Sequence, residues 1–297
     1  MKLSWRELKE RATEARERYG RCDLCAHRCL VDRTRGPAGT CREGDGIRLA
    51  GAGIHCGEEP QLVPSGVVLI AGCNLACQTC ETWQFSIERR HAIAVSAAQL
   101  AALLLDLEKR GASNANFVTP THVLPTLLDA LALAAEHGFT LPVVWNCGGY
   151  ESVEALRLLD GVVDVYLPDA KYGDDAAAYE LSGCKRYTAA LVESLREMHR
   201  QAEVIVRHLV LPSGVAAPEK LMPLIAEVST AICVNVLSQY RPVYRASRFP
   251  VVARGVTAAE VEAAVDAARA AGLRKVLVDG RAAPDGLSNA SGAIESA

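Results

Sequence analysis

The hydrophobic pattern of the chain changes at residue 67. From there onward, short and almost continuously apolar runs alternate with longer stretches whose apolar residues recur every three or four positions. Short apolar runs of this kind are typical of parallel strands that helices cover on both faces. The predicted strands are residues 67–71, 116–119, 143–146, 162–167, 204–211 and 232–237, with a further candidate at 275–279.

The stretches between these runs carry helix signals. Ser96 and Gln99 form a capping box before a leucine-rich stretch, and Thr257 and Glu260 form another before an alanine-rich one. Six strand–helix units predict an α/β fold whose parallel sheet curls into a partial (β/α)6 TIM-like barrel. Because parallel crossovers are right-handed, the carboxyl ends of the strands share one face, and we expect the chemistry there.

The first 66 residues follow a different pattern. Residues 3–19 predict a charged helix, whereas residues 20–66 are rich in Gly, Pro and Cys and show little periodicity. Such a segment has few apolar side chains to bury, so a bound metal or cluster is expected to hold it. We therefore predict three parts: a helix and Cys-rich extension over residues 1–66, a barrel over 67–280, and a disordered tail over 281–297.

Composition argues against several classes of partner. Half of the 297 residues are hydrophobic and the net charge is −3, with Lys and Arg spread along the chain, so neither nucleic acid nor a membrane surface is indicated. The apolar stretches are far shorter than a membrane span and the start has no signal-peptide core, so a cytoplasmic location is expected. Eleven cysteines without an export signal favour metal binding in a reducing compartment over disulfides.

Three of these cysteines carry the strongest chemical signal. Cys73, Cys77 and Cys80 form a C-x3-C-x2-C motif directly after the first apolar run. Three thiolates fill three iron positions of a [4Fe-4S] cubane and leave the fourth iron open to a substrate or cofactor. The alternatives are three buried thiols or a zinc site, since soft thiolates also suit zinc.

A second group of cysteines lies in the N-terminal segment, at Cys22, Cys25, Cys29 and Cys41. Four thiolates within twenty residues suit either a closed tetrahedral zinc site or a second [4Fe-4S] cluster with every iron ligated. Composition favours zinc slightly, whereas the presence of the first motif favours a cluster. His27 is an alternative ligand, and Cys56 stands apart.

Taken together, the chain resembles the radical S-adenosylmethionine (SAM) superfamily. It is most similar to the branch of pyruvate formate-lyase-activating-enzyme-like proteins that have an N-terminal Cys-rich segment. The resemblance runs from about residue 21 to about residue 272. Beside the triad, the matching stretches are residues 22–25, 36–41, 58–60, 118–122, 166–172, 197–201, 207–212 and 238–240.

The resemblance implies a cofactor and a site for it. In this superfamily the open iron chelates SAM, and one electron from the cluster cleaves SAM to a 5′-deoxyadenosyl radical. The residues that it assigns to cofactor binding follow or lie within the predicted strands: Thr119, Thr121, Asn146, Asp169, Lys171 and His208. Arg207 and His208 alternate along one strand, so only one of them faces the barrel interior. The resemblance favours His208 there, because related activating enzymes have a functional basic residue in this region.

Some positions depart from the pattern of the superfamily. Thr79 stands where relatives usually have an aromatic residue that packs on adenine, with Trp83 or Phe85 as possible replacements. Glu81 follows the third cysteine, where relatives of this branch often have Gln. The candidate substrate contacts are Glu81, His122, Gln239 and Tyr240.

The sequence therefore predicts a radical SAM enzyme that abstracts hydrogen from a small-molecule substrate, with a flavodoxin or ferredoxin as electron donor. Two other reactions stay open: activation of a partner glycyl-radical enzyme, and sulfur insertion with the second cluster as sulfur donor. A zinc-binding scaffold without enzymatic activity is the competing hypothesis.

Overall fold

The computed structural model describes residues 2–57 and 59–283 and has an α/β fold built on one mixed sheet of ten strands. The prediction of an α/β protein is confirmed. The strands are β1 Ile47–His55, β2 Ser65–Ile70, β3 Ile93–Val95, β4 Asn114–Val118, β5 Val143–Cys147, β6 Val165–Pro168, β7 Glu203–Leu209, β8 Cys233–Leu237, β9 Lys275–Val278 and β10 Arg281–Ala282.

The strand order is β10-β9-β8-β7-β6-β5-β4-β2-β1-β3. The strands from β2 and β4 through β9 pair in parallel and correspond to the seven runs predicted from the apolar pattern. The antiparallel strands are β1, β3 and β10, at the two ends of the order. Within the described residues the order therefore has two free ends, and the sheet is not a closed barrel.

Helices connect the parallel strands. Over the described residues they are α1 Trp5–Glu17, α2 Trp83–Ser86, α3 Ala97–Lys109, α4 Leu124–Glu136, α5 Val153–Arg157, α6 Asp175–Ser182, α7 Tyr187–Gln201, α8 Pro218–Val228 and α9 Ala258–Ala270. Both predicted capping boxes are present, at the starts of α3 and α9. None of these helices has the length and apolar character needed to cross a membrane.

The two faces of the central strands differ in chemistry. On β4, Ala115 and Phe117 are fully buried in the main apolar core, whereas Asn116 and Val118 line a cavity on the other face. The same division holds on β5, where Trp145 joins the core and Asn146 lines the cavity. Strand alternation thus turns one face toward the core and the other toward a site.

Two parts of the chain differ from the prediction. Residues 20–66 contain the nine-residue strand β1, which pairs with β2 along most of its length, with Ala52 opposite Val68. Its sequence is rich in Gly and Ala, so the side chains give little alternating signal, and neighbouring strands supply the stability instead. At the other end, Arg281 and Ala282 form β10, so the predicted disordered tail does not begin at residue 281. The rest of that predicted tail, residues 284–297, lies outside the described residues.

Candidate active site

A cavity of about 730 Å³ extends from the carboxyl ends of the parallel strands along the inner face of the sheet. Its walls come from β2, β4, β5, β7 and β8, from the loops that follow them and from β1. Cys73, Cys77 and Cys80 all line it, at the end where β2 stops. The carboxyl edge of a parallel sheet is where such folds place ligands, because the loops there meet at one face.

The turn that carries the first cysteine is tightly packed. Gly72 has φ +84°, and a Cβ at this position would lie 2.8 Å from Glu43 Oε1 and 2.9 Å from His122 Nε2. Thr119, also in a left-handed conformation with φ +56°, donates its hydroxyl to the carbonyl oxygens of Ile70 and Gly72 at 3.2 Å. A β-branched residue rarely adopts this conformation, so the surrounding contacts must hold it there.

Each of the three sulfur atoms has a neighbouring hydrogen-bonding group. The Leu75 amide donates to Cys73 Sγ at 3.3 Å, and the Ser182 hydroxyl donates to Cys77 Sγ at 3.0 Å. Cys80 Sγ lies 3.1 Å from the Ser86 hydroxyl. The Ser86 hydroxyl donates its one proton to the Thr82 carbonyl oxygen at 2.9 Å. Cys73 and Cys77 therefore have donors that would stabilise a thiolate bound to a metal or cluster, whereas Ser86 does not supply one to Cys80.

Burial raises the pKa of Cys73 and of Cys77 above their usual values, and nearby Lys171 partly offsets this rise. The isolated thiols therefore keep their protons, and a bound metal would have to displace them. Within residues 2–57 and 59–283, no group of three or more His, Cys, Asp or Glu side chains is arranged around a single metal ion. A cubane places its thiolate ligands on separate iron atoms, so its thiolates do not converge on one point. The three thiols line one cavity, two of them accept hydrogen bonds, and Lys171 lies nearby. These features suit thiolates that bind separate iron atoms of a cluster.

Charged residues beside the cysteines form one network. Asp169 accepts from Lys171 Nζ at 2.7 Å and from Arg207 Nε at 2.9 Å, and Arg207 Nη2 donates to Asn146 Oδ1 at 2.8 Å. Burial opposes ionisation of Asp169, but Arg207 and Lys171 together hold the pKa of this carboxyl below its usual value. Two cations against one carboxylate leave this wall of the cavity positively charged, as an anionic ligand would require.

The prediction that His208 faces the interior is wrong. Arg207 lines the cavity, whereas His208 is 0% exposed and its Nδ1 lies 2.8 Å from the Ala170 carbonyl oxygen. Alternation along β7 permits only one of the two to face inward, and ion pairing with Asp169 favours Arg207. His208 therefore does not reach a ligand in this cavity.

The predicted loop after β4 is only partly in the cavity. Thr119 lines it, but Thr121 and His122 are buried behind the wall. His122 Nε2 lies 2.9 Å from the Ala71 carbonyl oxygen, and burial lowers the pKa of His122 to about 4. The expectation that His122 contacts substrate is therefore not met, and its neutral ring supports the turn before Cys73 instead.

The other candidate substrate contacts, Glu81, Gln239 and Tyr240, do line the cavity. The Tyr240 hydroxyl donates to the Val252 carbonyl oxygen at 2.7 Å, so the ring rather than the hydroxyl is left to contact a ligand. Trp83, a suggested partner for adenine, lies outside the cavity lining and stacks on Tyr244 at 5.4 Å.

The second cysteine group lies on the N-terminal segment. Cys22 is buried, and Cys25, Cys29 and Cys41 are partly exposed. Buried Arg33 donates to Cys22 Sγ at 3.6 Å, and burial raises the pKa of Cys25 and of Cys41. Cys56, which belongs to neither cysteine group, is exposed.

A chain of rings packs between the two cysteine groups. Its successive centroid distances are 4.9, 6.0 and 5.5 Å, and its members are His27, Tyr150, Tyr187 and Tyr172. His27 lies between Cys25 and Cys29 in the sequence. At the other end the Tyr172 hydroxyl lies 2.8 Å from Ser182 Oγ, which in turn donates to Cys77. The two groups are thus joined by continuous packing through the core.

Sequence reasoning missed several residues of the cavity. Glu59 and Asn116 line its far end, and Ser182 bonds Cys77 although it belongs to a helix that was not predicted. The sequence could have marked Asn116 as a candidate, because an amide inside an apolar strand, two residues after another asparagine, Asn114, is unusual. No pattern in the sequence could have marked Ser182, because it lies more than one hundred residues from Cys77.

Comparison with known proteins identifies a similar archaeal protein whose name states no reaction. No protein-family model matches it. It is 35% identical over 264 residues to a protein of Methanocaldococcus jannaschii that is named only as uncharacterized protein MJ0674, with 86% of this chain and 76% of the archaeal protein covered. This identity over most of both chains is high enough to establish common descent, and the chain belongs to the same family as that archaeal protein.

Proposed function

We propose that the protein is a radical SAM enzyme that acts on a small molecule. The observation that carries this proposal is the position of the C-x3-C-x2-C motif, whose three thiols line one cavity at the carboxyl edge of a parallel sheet. When bound there, a [4Fe-4S] cluster supplies one-electron cleavage of SAM to the 5′-deoxyadenosyl radical that removes a hydrogen atom. A one-electron donor of the flavodoxin or ferredoxin class would reduce it.

We further propose that the parallel strands form a partial TIM-like barrel. In the strand order, β2 and β8 are five positions apart, which is about 24 Å in a flat sheet. Val67 of β2 and Leu237 of β8 nevertheless line the same cavity of about 730 Å³. A curled sheet brings such distant strands to one cavity, and a flat one does not.

The residues of the charged wall are suited to bind SAM. Lys171 and Arg207 provide the positive charge that a methionine carboxylate needs, and Asp169 holds both in place. Asn146 uses Oδ1 for Arg207, and its Nδ2 donates no hydrogen bond within the described part of the chain. That amide is therefore available to donate to a ribose hydroxyl.

The size of the cavity favours a small-molecule substrate. Pockets for small ligands usually measure about 300–1,000 Å³, and this one measures about 730 Å³. Activation of a glycyl-radical enzyme and sulfur insertion remain alternative reactions for the same site. The N-terminal group, Cys22, Cys25, Cys29 and Cys41, is proposed to hold a second [4Fe-4S] cluster, with zinc as the competing occupant.

Anaerobic reconstitution with iron and sulfide tests the proposal. Two cubanes correspond to about eight iron atoms per chain, and incubation with SAM and dithionite should release 5′-deoxyadenosine. Replacing Cys73, Cys77 and Cys80 by alanine should remove about four iron atoms and all cleavage. The matched control is Cys56→Ala, an exposed cysteine outside both groups, which should retain iron and cleavage.

Two outcomes contradict the proposal. Cleavage of SAM that survives the triple substitution would remove the assigned role of the triad. Stoichiometric zinc in place of iron at both groups, with no cleavage, would favour the scaffold hypothesis. If only the N-terminal group holds zinc and the triad still supports cleavage, the second cluster alone is ruled out.

A further inference from the structure

The end of the cavity away from the cysteines has a chemistry that the proposed function does not use. Along β2, the residues Ser65, Val67 and Leu69 line the cavity in alternation, and Cys73 follows at the other end. The five-residue step from Ser65 to Ile70 spans about 17 Å. The far end, which we call the cavity floor, comprises Glu59, Ser65 and Asn116.

Hydrogen bonds at the floor determine which atom of Asn116 is left for a ligand. The Leu62 carbonyl can only accept, and it accepts from Asn114 Nδ2 at 2.5 Å. Asn114 Oδ1 must then accept the Ser65 hydroxyl proton, at 2.7 Å. Ser65 has no second proton, so it accepts from Asn116 Nδ2 at 3.2 Å.

This chain of bonds leaves Asn116 Oδ1 as an acceptor. Oδ1 has no hydrogen-bond partner among the described residues, although the side chain is only 6% exposed. A buried polar atom without a partner costs free energy, so native proteins normally satisfy it with protein, water or ligand. Asn116 lines the cavity, and a ligand there can supply the missing donor.

A carboxylate lines the same floor. Glu59 is 5% exposed, and its Oε1 accepts from Asn235 Nδ2 at 3.2 Å. The orientation of Asn235 is set by the Gly280 amide, which donates to Asn235 Oδ1 at 3.0 Å. Glu59 is connected to the Asn116 network through its own turn, because the Leu62 amide donates to the Glu59 carbonyl oxygen at 2.9 Å.

The walls between the floor and the cysteines are mainly apolar, from Val67, Leu69, Leu209 and Leu237. Arg207 lies on the same inner face, opposite Asn235 in register, and its guanidinium is bonded to Asp169 and Asn146. The floor thus presents acceptors, and the cysteine end presents cations.

We propose that the floor binds a positively charged nitrogen group of the substrate, an ammonium or a guanidinium, carried on an aliphatic stretch. The carboxylate of Glu59 and Oδ1 of Asn116 accept its N–H groups, and the leucine and valine walls contact its hydrocarbon part. This assignment rests on the proposed function, in which the cysteine end of the same cavity holds SAM. It names the substrate class and the end of the substrate that lies farthest from the cluster.

Binding of three six-carbon probes to the full-length reconstituted protein tests the inference. The probes are hexylammonium, hexan-1-ol and hexanoate, which share a hydrocarbon chain and differ in the terminal group. Titration calorimetry and ligand-observed NMR should show hexylammonium binding about tenfold or more tighter than hexanoate, with hexanol between them. Equal affinity for all three, or preference for hexanoate, overturns the inference.

Substitutions locate the bound ammonium within the cavity. Glu59→Gln should weaken hexylammonium binding about tenfold to a hundredfold and leave hexanol binding unchanged. Asn116→Leu, of similar volume, should weaken it by a smaller factor. The matched control is Glu219→Gln, which changes an exposed carboxylate of α8 outside the cavity lining and should leave hexylammonium binding within about twofold.

A loss in Glu219→Gln that equals the loss in Glu59→Gln overturns the assignment to the floor, because it shows a general effect of charge. Should Glu59→Gln fail to fold, the comparison of the three probes on the unsubstituted protein still decides the matter. Cleavage of SAM is measured on the same preparation, so the two proposals fail separately. Cleavage without ammonium preference overturns only the floor assignment, and ammonium preference without cleavage overturns only the proposed function.

Discussion

Replacing Gly72 by alanine should disrupt the turn that presents Cys73. This glycine has φ +84°, and an added Cβ would approach Glu43 Oε1 to 2.8 Å, His122 Nε2 to 2.9 Å and Glu43 Cγ to 3.0 Å. These neighbours are not free to move. The Glu43 carboxylate is paired with both Arg48 and Arg89, and His122 is bonded to the Ala71 carbonyl oxygen.

Two contributions set the size of the effect. Left-handed backbone costs an alanine about 1–2 kcal/mol. Overpacking at a site whose neighbours are held typically adds about 1–3 kcal/mol. We therefore expect Gly72→Ala to lower the free energy of unfolding by about 2–5 kcal/mol. At the proposed cluster site it should also lower the iron taken up on reconstitution, because the turn that carries Cys73 is displaced.

Urea denaturation followed by circular dichroism measures the effect, with an unchanged dependence on denaturant as evidence that the folded state is comparable. Gly20→Ala is the matched control, since its Cβ would meet no atom within 4 Å and its φ is not positive. It should change the free energy of unfolding by less than about 1 kcal/mol. If contact with the imidazole causes part of the loss, Gly72→Ala should cost at least about 0.5 kcal/mol less in a His122→Ala background.

A loss below about 1 kcal/mol for Gly72→Ala would refute this reasoning, because it would mean that both the backbone and the held side chains adapt without cost. Additivity of the two substitutions would refute the assignment of the clash to His122. Normal iron content in a destabilised Gly72→Ala protein would show that the turn and the thiol positions are independent.

Three other perturbations have expected outcomes of defined sign. Burial lowers the pKa of His122 to about 4 in the folded protein, so the unfolded chain binds a proton at a higher pH than the folded chain does. The free energy of unfolding should thus fall by about 2 kcal/mol from pH 7 to pH 5 through this group. In urea titrations of metal-free protein, the free energy of unfolding should change less between these pH values in His122→Gln than in the unsubstituted protein. Arg207→Met removes one of the two cations that face Asp169 and should cost about 2–3 kcal/mol in the same assay; a loss under about 0.5 kcal/mol would mean that this pair is effectively solvated. Ser182→Ala removes the hydroxyl that donates to Cys77 and should make the reduction potential of a cluster at the triad about 40 mV more negative in an EPR redox titration. An unchanged or raised potential would contradict that role.

Local signals predicted the framework well. The continuous apolar runs mark each parallel strand from β2 to β9, because strands buried on both faces need apolar residues at nearly every position. Capping boxes marked the starts of α3 and α9, since an N-cap depends only on residues within one turn. The same strand–helix order, read from the sequence, places Cys73 at the carboxyl edge of the sheet.

Local signals failed where the partner of a residue is distant. Alternation required one of Arg207 and His208 to face inward, but it carried no information on which. The choice follows from Asp169, nearly forty residues earlier, whose carboxylate pairs with the guanidinium. The strand β1 was missed for a similar reason, because its stability comes from pairing with β2 and β3 and its own Gly-rich sequence has little strand preference.

The sequence by itself determined the strand–helix alternation, the edge of the sheet where chemistry is expected, and the presence of three cysteine thiols at that edge. All of these depend on residue type and spacing within short segments. Only the tertiary structure decided that Arg207 rather than His208 enters the cavity, that His122 supports a turn, and that Glu59 reaches the same floor as Asn116. These outcomes depend on pairing and burial between residues far apart in the chain, and such contacts exist only once the sheet has formed.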